Sequence, residues 1–221
     1  MVPNSLTSPP VRPLLDRLFQ AAEGDPARSA DLAERYPNGF AAASAREQAE
    51  AYEQLYIPVS PEGGRLLYAL IRASRPSTVV EFGTSFGIST IHLAAAVRDN
   101  GTGWVVSTEL NAAKVVRARA NIAEAGLADQ VTILEGDALE TLASLTGPVE
   151  FVLLDGWKNL YLPVLRLLEP RLTPGALVVA DDTVSLAAQM ADYLAYVRDP
   201  GHGYLSIAFP ESDGLEISCR V

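Results

Sequence analysis

Only one cysteine, Cys219, occurs in 221 residues. An internal disulfide framework is therefore excluded, and the chain suits a reducing compartment, the cytoplasm. Cys219 lies in the alternating run Leu215-Glu-Ile-Ser-Cys-Arg-Val221, where it reads as a small core residue of a strand. No stretch reaches the roughly 20 consecutive apolar residues of a membrane span. The first ten residues have neither the basic start nor the apolar centre of a signal peptide. Positive charge is also scarce: 17 Lys and Arg against 27 Asp and Glu give a net charge of −10. That argues against a non-specific nucleic-acid binder, which needs a basic face, but leaves room for a cationic nucleotide-like cofactor. Internal repeats and low-complexity tracts are absent. A hydrophobic content of 48% with 20% charged residues belongs to a globular domain with a substantial core.

Strand candidates are missing from the first third. Residues 1–12, with Pro3, Pro9 and Pro10 and with Pro13 just beyond, read as a loose tail. Leu14, Leu15, Leu18 and Phe19 recur at helical spacing, Ala30–Tyr36 follows, and Pro37-Asn-Gly39 breaks it. Phe40–Tyr56 reads as one helix ending before Pro58. From Ser77 strands and helices alternate. Strands are predicted at 78–82, 104–108, 131–134, 151–154 and 176–180. Helices are predicted at 88–97, 112–125, 139–145, 162–172 and 186–197. The strands 204–209 and 215–221 are joined by the short turn Glu211-Ser-Asp-Gly214 and must pair antiparallel. The pattern predicts an α/β fold: five parallel strand–helix units with right-handed crossovers, a C-terminal antiparallel hairpin and a helical N-terminal extension. Residues 1–56 form the extension and 57–221 the sheet domain.

Two apolar runs end abruptly in carboxylate. Phe151-Val-Leu-Leu-Asp-Gly-Trp-Lys158 is answered by Leu177-Val-Val-Ala-Asp-Asp182, each the pattern of a buried parallel strand whose tip opens into a site. Side by side, they bring together Asp155, Asp181 and Asp182, with Lys158 one short turn away. Clustered carboxylates suit a hard divalent cation, and a lysine nearby can serve as a base. The first strand runs into Glu81-Phe-Gly-Thr-Ser-Phe-Gly-Ile-Ser89, where Gly83 and Gly87 permit a tight turn and the following helix offers unpaired N–H groups. The spacing is not that of the dinucleotide fingerprint. Glu109 ends the second strand, where an acid can accept from both ribose hydroxyls. Asp137 and Ala138 follow the third, where a carboxylate can meet an adenine amino group. Either acid can instead cap the helix after it, and Asp181-Asp182 can cap one near Ser185. Lys158 can instead be a surface lysine and Trp157 a core or interface aromatic. His92 and His202 have no partner at metal-ligand spacing.

Together these segments resemble the class I S-adenosylmethionine-dependent O-methyltransferases of the catechol/caffeoyl-CoA type. Glu81–Ser89 resembles the first motif of that family, Leu154–Lys158 with Tyr161-Leu-Pro163 the region of its catalytic lysine, and Ala180-Asp-Asp182 its Ala-Asp-Asn metal motif. The similarity runs from about Ile57 to Val221. It implies a Rossmann-like seven-stranded methyltransferase sheet that binds S-adenosylmethionine. Glu109 would then hold the ribose and Asp137 with Ala138 the adenine. Glu81, Gly83, Ser89 and the backbone near Val59 would hold the methionine end, with Asp155 and Trp157 beside the reacting methyl. Asp155, Asp181 and Asp182 would ligate Mg²⁺, and Lys158 would deprotonate the acceptor. Asp182 departs from the family's asparagine, leaving three carboxylates around one dication. Glu211 is a candidate for the family's acceptor-contacting glutamate.

The implied reaction is methyl transfer to a hydroxyl of a small aromatic acceptor, with a homodimer as one use of the N-terminal apolar faces. Adjacent carboxylates raise a lysine's pKa, so a base role for Lys158 needs a metal's charge to offset them. Two rivals stand beside it: a metal-independent methyltransferase, and a non-catalytic cofactor-binding protein.

Overall fold

The computed structural model describes residues 4–36, 39–40 and 43–221. Met1 to Pro3 of the expected tail, Pro37 and Asn38 of the expected break, and Ala41 and Ala42 of the expected long helix lie outside them.

Buried apolar strands dominate the core. β1 (Thr78–Phe82), β2 (Trp104–Glu109), β3 (Val131–Glu135), β4 (Val149–Leu154) and β5 (Leu172–Ala180) pair in parallel; β6 (Tyr204–Phe209) and β7 (Leu215–Arg220) complete a seven-stranded sheet ordered β3-β2-β1-β4-β5-β7-β6. β7 is antiparallel to both of its neighbours. The chain reverses its direction of winding between β1 and β4, the place where open α/β sheets leave a crevice for ligands. Register sharpens that crevice. Phe82 pairs with Thr108 and with Leu154, and Leu154 pairs with Ala180. The residues just past these tips, Gly83, Glu109, Asp155 and Asp181, therefore emerge along one edge.

Helices cover both faces: α5 (Ile88–Asn100), α6 (Ala112–Glu124), α7 (Ala138–Thr141), α8 (Tyr161–Leu168) and α9 (Ala191–Arg198). The expected helix at 186–197 divides into a 3₁₀ turn, Ala187–Met190, followed by α9. β5 starts four residues earlier than expected and carries Pro174 and Gly175 through a register irregularity opposite Val149 and Phe151.

The N-terminal third departs furthest from expectation. Its helices are α1 (Val11–Ala22), α2 (Asp25–Arg35), α3 (Ala45–Ala51) and α4 (Pro61–Ser74). Residues from Asn4 onward are no loose tail, because the Ser5 N–H donates to the Asp99 carboxylate at 2.8 Å and the Ser5 hydroxyl donates to the same group. Val11, Leu14, Leu15 and Leu18 are buried within the chain, where α1 packs on α5 and α6. Those side chains thus offer no free face to a second copy. The helix expected over 40–56 shrinks to α3, which starts at a capping box between Ser44 and Glu47. α4 was not expected at all; Ser60 caps it by accepting from Gly63 N–H, and Pro61 fits its first turn. Among the described residues, no helix is long and apolar enough to cross a membrane.

Candidate active site

The carboxylate cluster forms where β4 and β5 end. Asp155 N–H donates to the Phe82 carbonyl at 2.8 Å and Asp181 N–H to the Leu154 carbonyl at 3.0 Å, so each strand tip is tied to its neighbour. Asp155, Asp181 and Asp182 each offer a carboxylate oxygen, all within 4.8 Å of one another. Lys158 is only 9% exposed, not a surface lysine. Its ammonium lies 2.7 Å from Asp182 Oδ2 and 3.6 Å from Asp155 Oδ1. It also donates to the Tyr161 hydroxyl at 2.8 Å, and that hydroxyl donates to the Asp181 carbonyl at 3.3 Å.

Three acids and one base in a buried site leave an excess of negative charge. Burial, then the charge of Asp181, drive the Asp155 carboxyl well above the usual carboxylate range, against the pull of Lys158. Burial and then Asp182 push Asp181 up to about 7. An oxygen-only donor set under such mutual repulsion fits a hard dication, whose charge would relieve it. Asp182 reaches this position with a left-handed backbone, φ +61°.

The glycine loop sits against the same cluster. Gly83 has φ +106°, and a Cβ there would lie 2.5 Å from the Asp155 carbonyl oxygen. Gly87, at φ +87°, starts α5. Glu109 holds this loop: its carboxylate accepts from Ser85 N–H at 2.8 Å and Asn111 N–H at 2.9 Å. Asp137 caps α7 by accepting from Leu139 N–H at 2.8 Å, and it also faces the cavity. Capping leaves Asp137 with lone pairs to spare on the cavity side.

A cavity of about 290 Å³ runs along these tips. Gly83, Ser89, Glu109, Asp137, Ala138, Asp155, Trp157, Lys158 and Asp182 all line it. Four expected residues do not. Glu81 is fully buried beneath the loop, accepting from Thr90 and Ser107 hydroxyls, with its pKa raised chiefly by burial. Val59 packs into the core, and its neighbours Tyr56, Ile57 and Pro58 form the wall instead. Asp181 faces a second cavity of about 310 Å³ that shares Ile57, Pro58 and Asp182 with the first. Glu211 is engaged by the Ser60 hydroxyl at 2.8 Å.

Sequence reasoning missed the wall contributed by α3 and by α6. Tyr52 meets Trp157 edge to face at 5.2 Å, and Tyr56 stacks on Phe86 at 4.0 Å. Lys114 is buried in the cavity wall, donating to Ser85 Oγ at 3.2 Å. Its pKa is lowered by burial, against the charge of Glu109. The one signal in the sequence was rarity, because Lys114 and Lys158 are the only lysines in the chain.

Comparison with known proteins places this geometry in a group. Residues 80–183 match the family described as a methyltransferase domain. A probable O-methyltransferase of Mycobacterium tuberculosis is 36% identical over 160 residues, covering 67% of this chain and 66% of its own length. The catechol O-methyltransferase of Niastella koreensis is 33% identical over 132 residues, covering 58% of this chain and 59% of the relative. The match thus spans somewhat less than two thirds of these relatives. Among solved structures, the O-methyltransferase TomG of Streptomyces achromogenes, involved in tomaymycin synthesis and bound to SAM, superposes with a TM-score of 0.67 at 26% identity. It covers 80% of this chain and 87% of that one.

Proposed function

Since the chain belongs to the class I O-methyltransferases of the catechol O-methyltransferase-like family, we propose that it transfers the methyl group of S-adenosylmethionine to a hydroxyl of a small aromatic acceptor. The observation that carries the reading is Lys158 held among Asp155, Asp181 and Asp182 at the mouth of a cavity that also exposes Glu109 and Asp137.

In this reading Glu109 accepts from the ribose hydroxyls with the lone pairs that Ser85 and Asn111 leave free. Asp137 and Ala138 meet the adenine edge, while Gly83 and Ser89 face the methionine end. Close approach at Gly83 needs its missing side chain. Trp157 and Tyr52 wall the acceptor and exclude water. Asp155, Asp181 and Asp182 would hold Mg²⁺ through their oxygens, and its charge would lower the pKa of a neighbouring hydroxyl. Lys158 is the base that takes the acceptor's proton at Nζ, leaving an oxyanion in line with the methyl group.

A metal-independent variant is favoured by one contact, the 2.7 Å pairing of Lys158 with Asp182, which already neutralises one carboxylate. One set of measurements separates the readings. Calorimetry with S-adenosylhomocysteine, with NAD as control, is expected to show binding of the former alone. Methylation of catechols, caffeoyl esters and hydroxylated polyketides is then followed with and without EDTA. Chelation and Asp155→Ala are each expected to abolish turnover while cofactor binding persists, and Lys158→Ala to lower turnover by about 10²–10⁴-fold. Full activity in EDTA selects the metal-independent reading. NAD binding without a response to the nucleoside removes both.

A further inference from the structure

Resting on Lys158 as the base, we infer that Tyr161 is a positioning residue that holds the Lys158 amine in place at the cavity. Its hydroxyl is fully buried at the start of α8 and has two neighbours, the Lys158 amine at 2.8 Å and the Asp181 peptide carbonyl at 3.3 Å. A phenol has one proton, and a peptide carbonyl can only accept. The proton is therefore committed to Asp181, and what faces Lys158 is a lone pair.

That asymmetry makes the hydroxyl a bridge: it accepts from Lys158 and donates to the Asp181 carbonyl. Tyr161 thereby ties the amine, which lines the cavity, to the backbone of β5's tip. Its ring is held edge to face against Tyr193 at 5.7 Å and Phe82 at 6.4 Å, so the hydroxyl has little freedom to follow a wandering amine.

Tyr161→Phe keeps the ring and removes only the hydroxyl. With 3,4-dihydroxybenzoate as acceptor, kcat is expected to fall by about 10–100-fold, while KM and S-adenosylhomocysteine affinity stay within about twofold of wild type. In a Lys158→Ala background the same substitution is expected to cost nothing further, since there is no amine left to hold. A second readout needs no acceptor. With two lysines in the chain, ¹⁵N-lysine labelling gives two side-chain signals, and Lys158→Ala assigns them. The Lys158 signal is expected to exchange slowly with water in wild type and markedly faster in Tyr161→Phe. Unchanged kcat in Tyr161→Phe beside an inactive Lys158→Ala overturns the inference alone. So does equal loss in both backgrounds, or a wild-type Lys158 signal that exchanges like a free amine. A fully active Lys158→Ala removes the base and the inference together.

Discussion

Asp182 holds a conformation that costs most L residues roughly 1–2 kcal/mol and that Asn and Asp tolerate best. Its φ of +61° gives a physical reason why the position suits Asp, or the Asn of the motif that Ala180-Asp-Asp182 resembles. Asp182→Asn is thus expected to keep the fold, with a melting temperature within a few degrees of wild type, and to retain an oxygen ligand for a cation. It removes one negative charge from the cluster, so KM for an ionisable catechol is expected to fall; a rise in KM would contradict this charge argument. The carboxylates and Lys158 could be read from sequence because each lies at or just after the end of an apolar strand. Tyr161, Tyr52 and Lys114 could not be assigned such roles. What they do depends on contacts with segments distant in sequence, such as Tyr52 against Trp157.

The loop between β1 and α5 is the element on which the cavity depends. Gly83→Ala would set a methyl group against the Asp155 backbone and also strain a positive φ. The expected cost is at least about 2 kcal/mol, with weakened S-adenosylhomocysteine binding in calorimetry. Wild-type stability in that variant would show that the loop can shift freely. Strand–helix alternation was legible from Ser77 onward because buried parallel strands announce themselves as short β-branched runs between glycine turns. Elements that depend on packing were less so. α4 has an N-terminal signal in Ser60-Pro61-Glu62, yet Gly63 and Gly64 weaken its propensity. Gly64 is needed where it stands, because a Cβ there would lie 2.6 Å from His92 Nε2. Alanine-rich 40–56 shows the converse, since helix propensity there extends well past the seven residues of α3.

For the molecule as a whole, His92 links folding to pH. Buried between α4 and α5, it bonds the Ile88 carbonyl through Nδ1, and burial pushes its pKa down to about 4. The unfolded chain, with a histidine pKa near 6.5, binds the extra proton first. Stability from this group is therefore full above about pH 6.5 and lost as pH falls toward 4, on the order of 3 kcal/mol in total. Urea titrations at pH 7.5 and 5 are expected to show the loss, and His92→Gln to flatten it; equal midpoints at both pH values would refute it. The parallel sheet and its antiparallel end followed from the chain's alternating rhythm and the final hairpin, whereas the way Ser5 ties the N-terminal segment to Asp99 left no mark in the sequence. The lysine distribution has one more consequence. Every other cationic side chain is an arginine or a histidine, and both lysines line the same cavity. Amine-acylating reagents that ignore guanidinium groups can therefore reach, apart from the terminal amine, only amines inside that cavity, so the protein's amine chemistry is a direct gauge of whether it is open or filled.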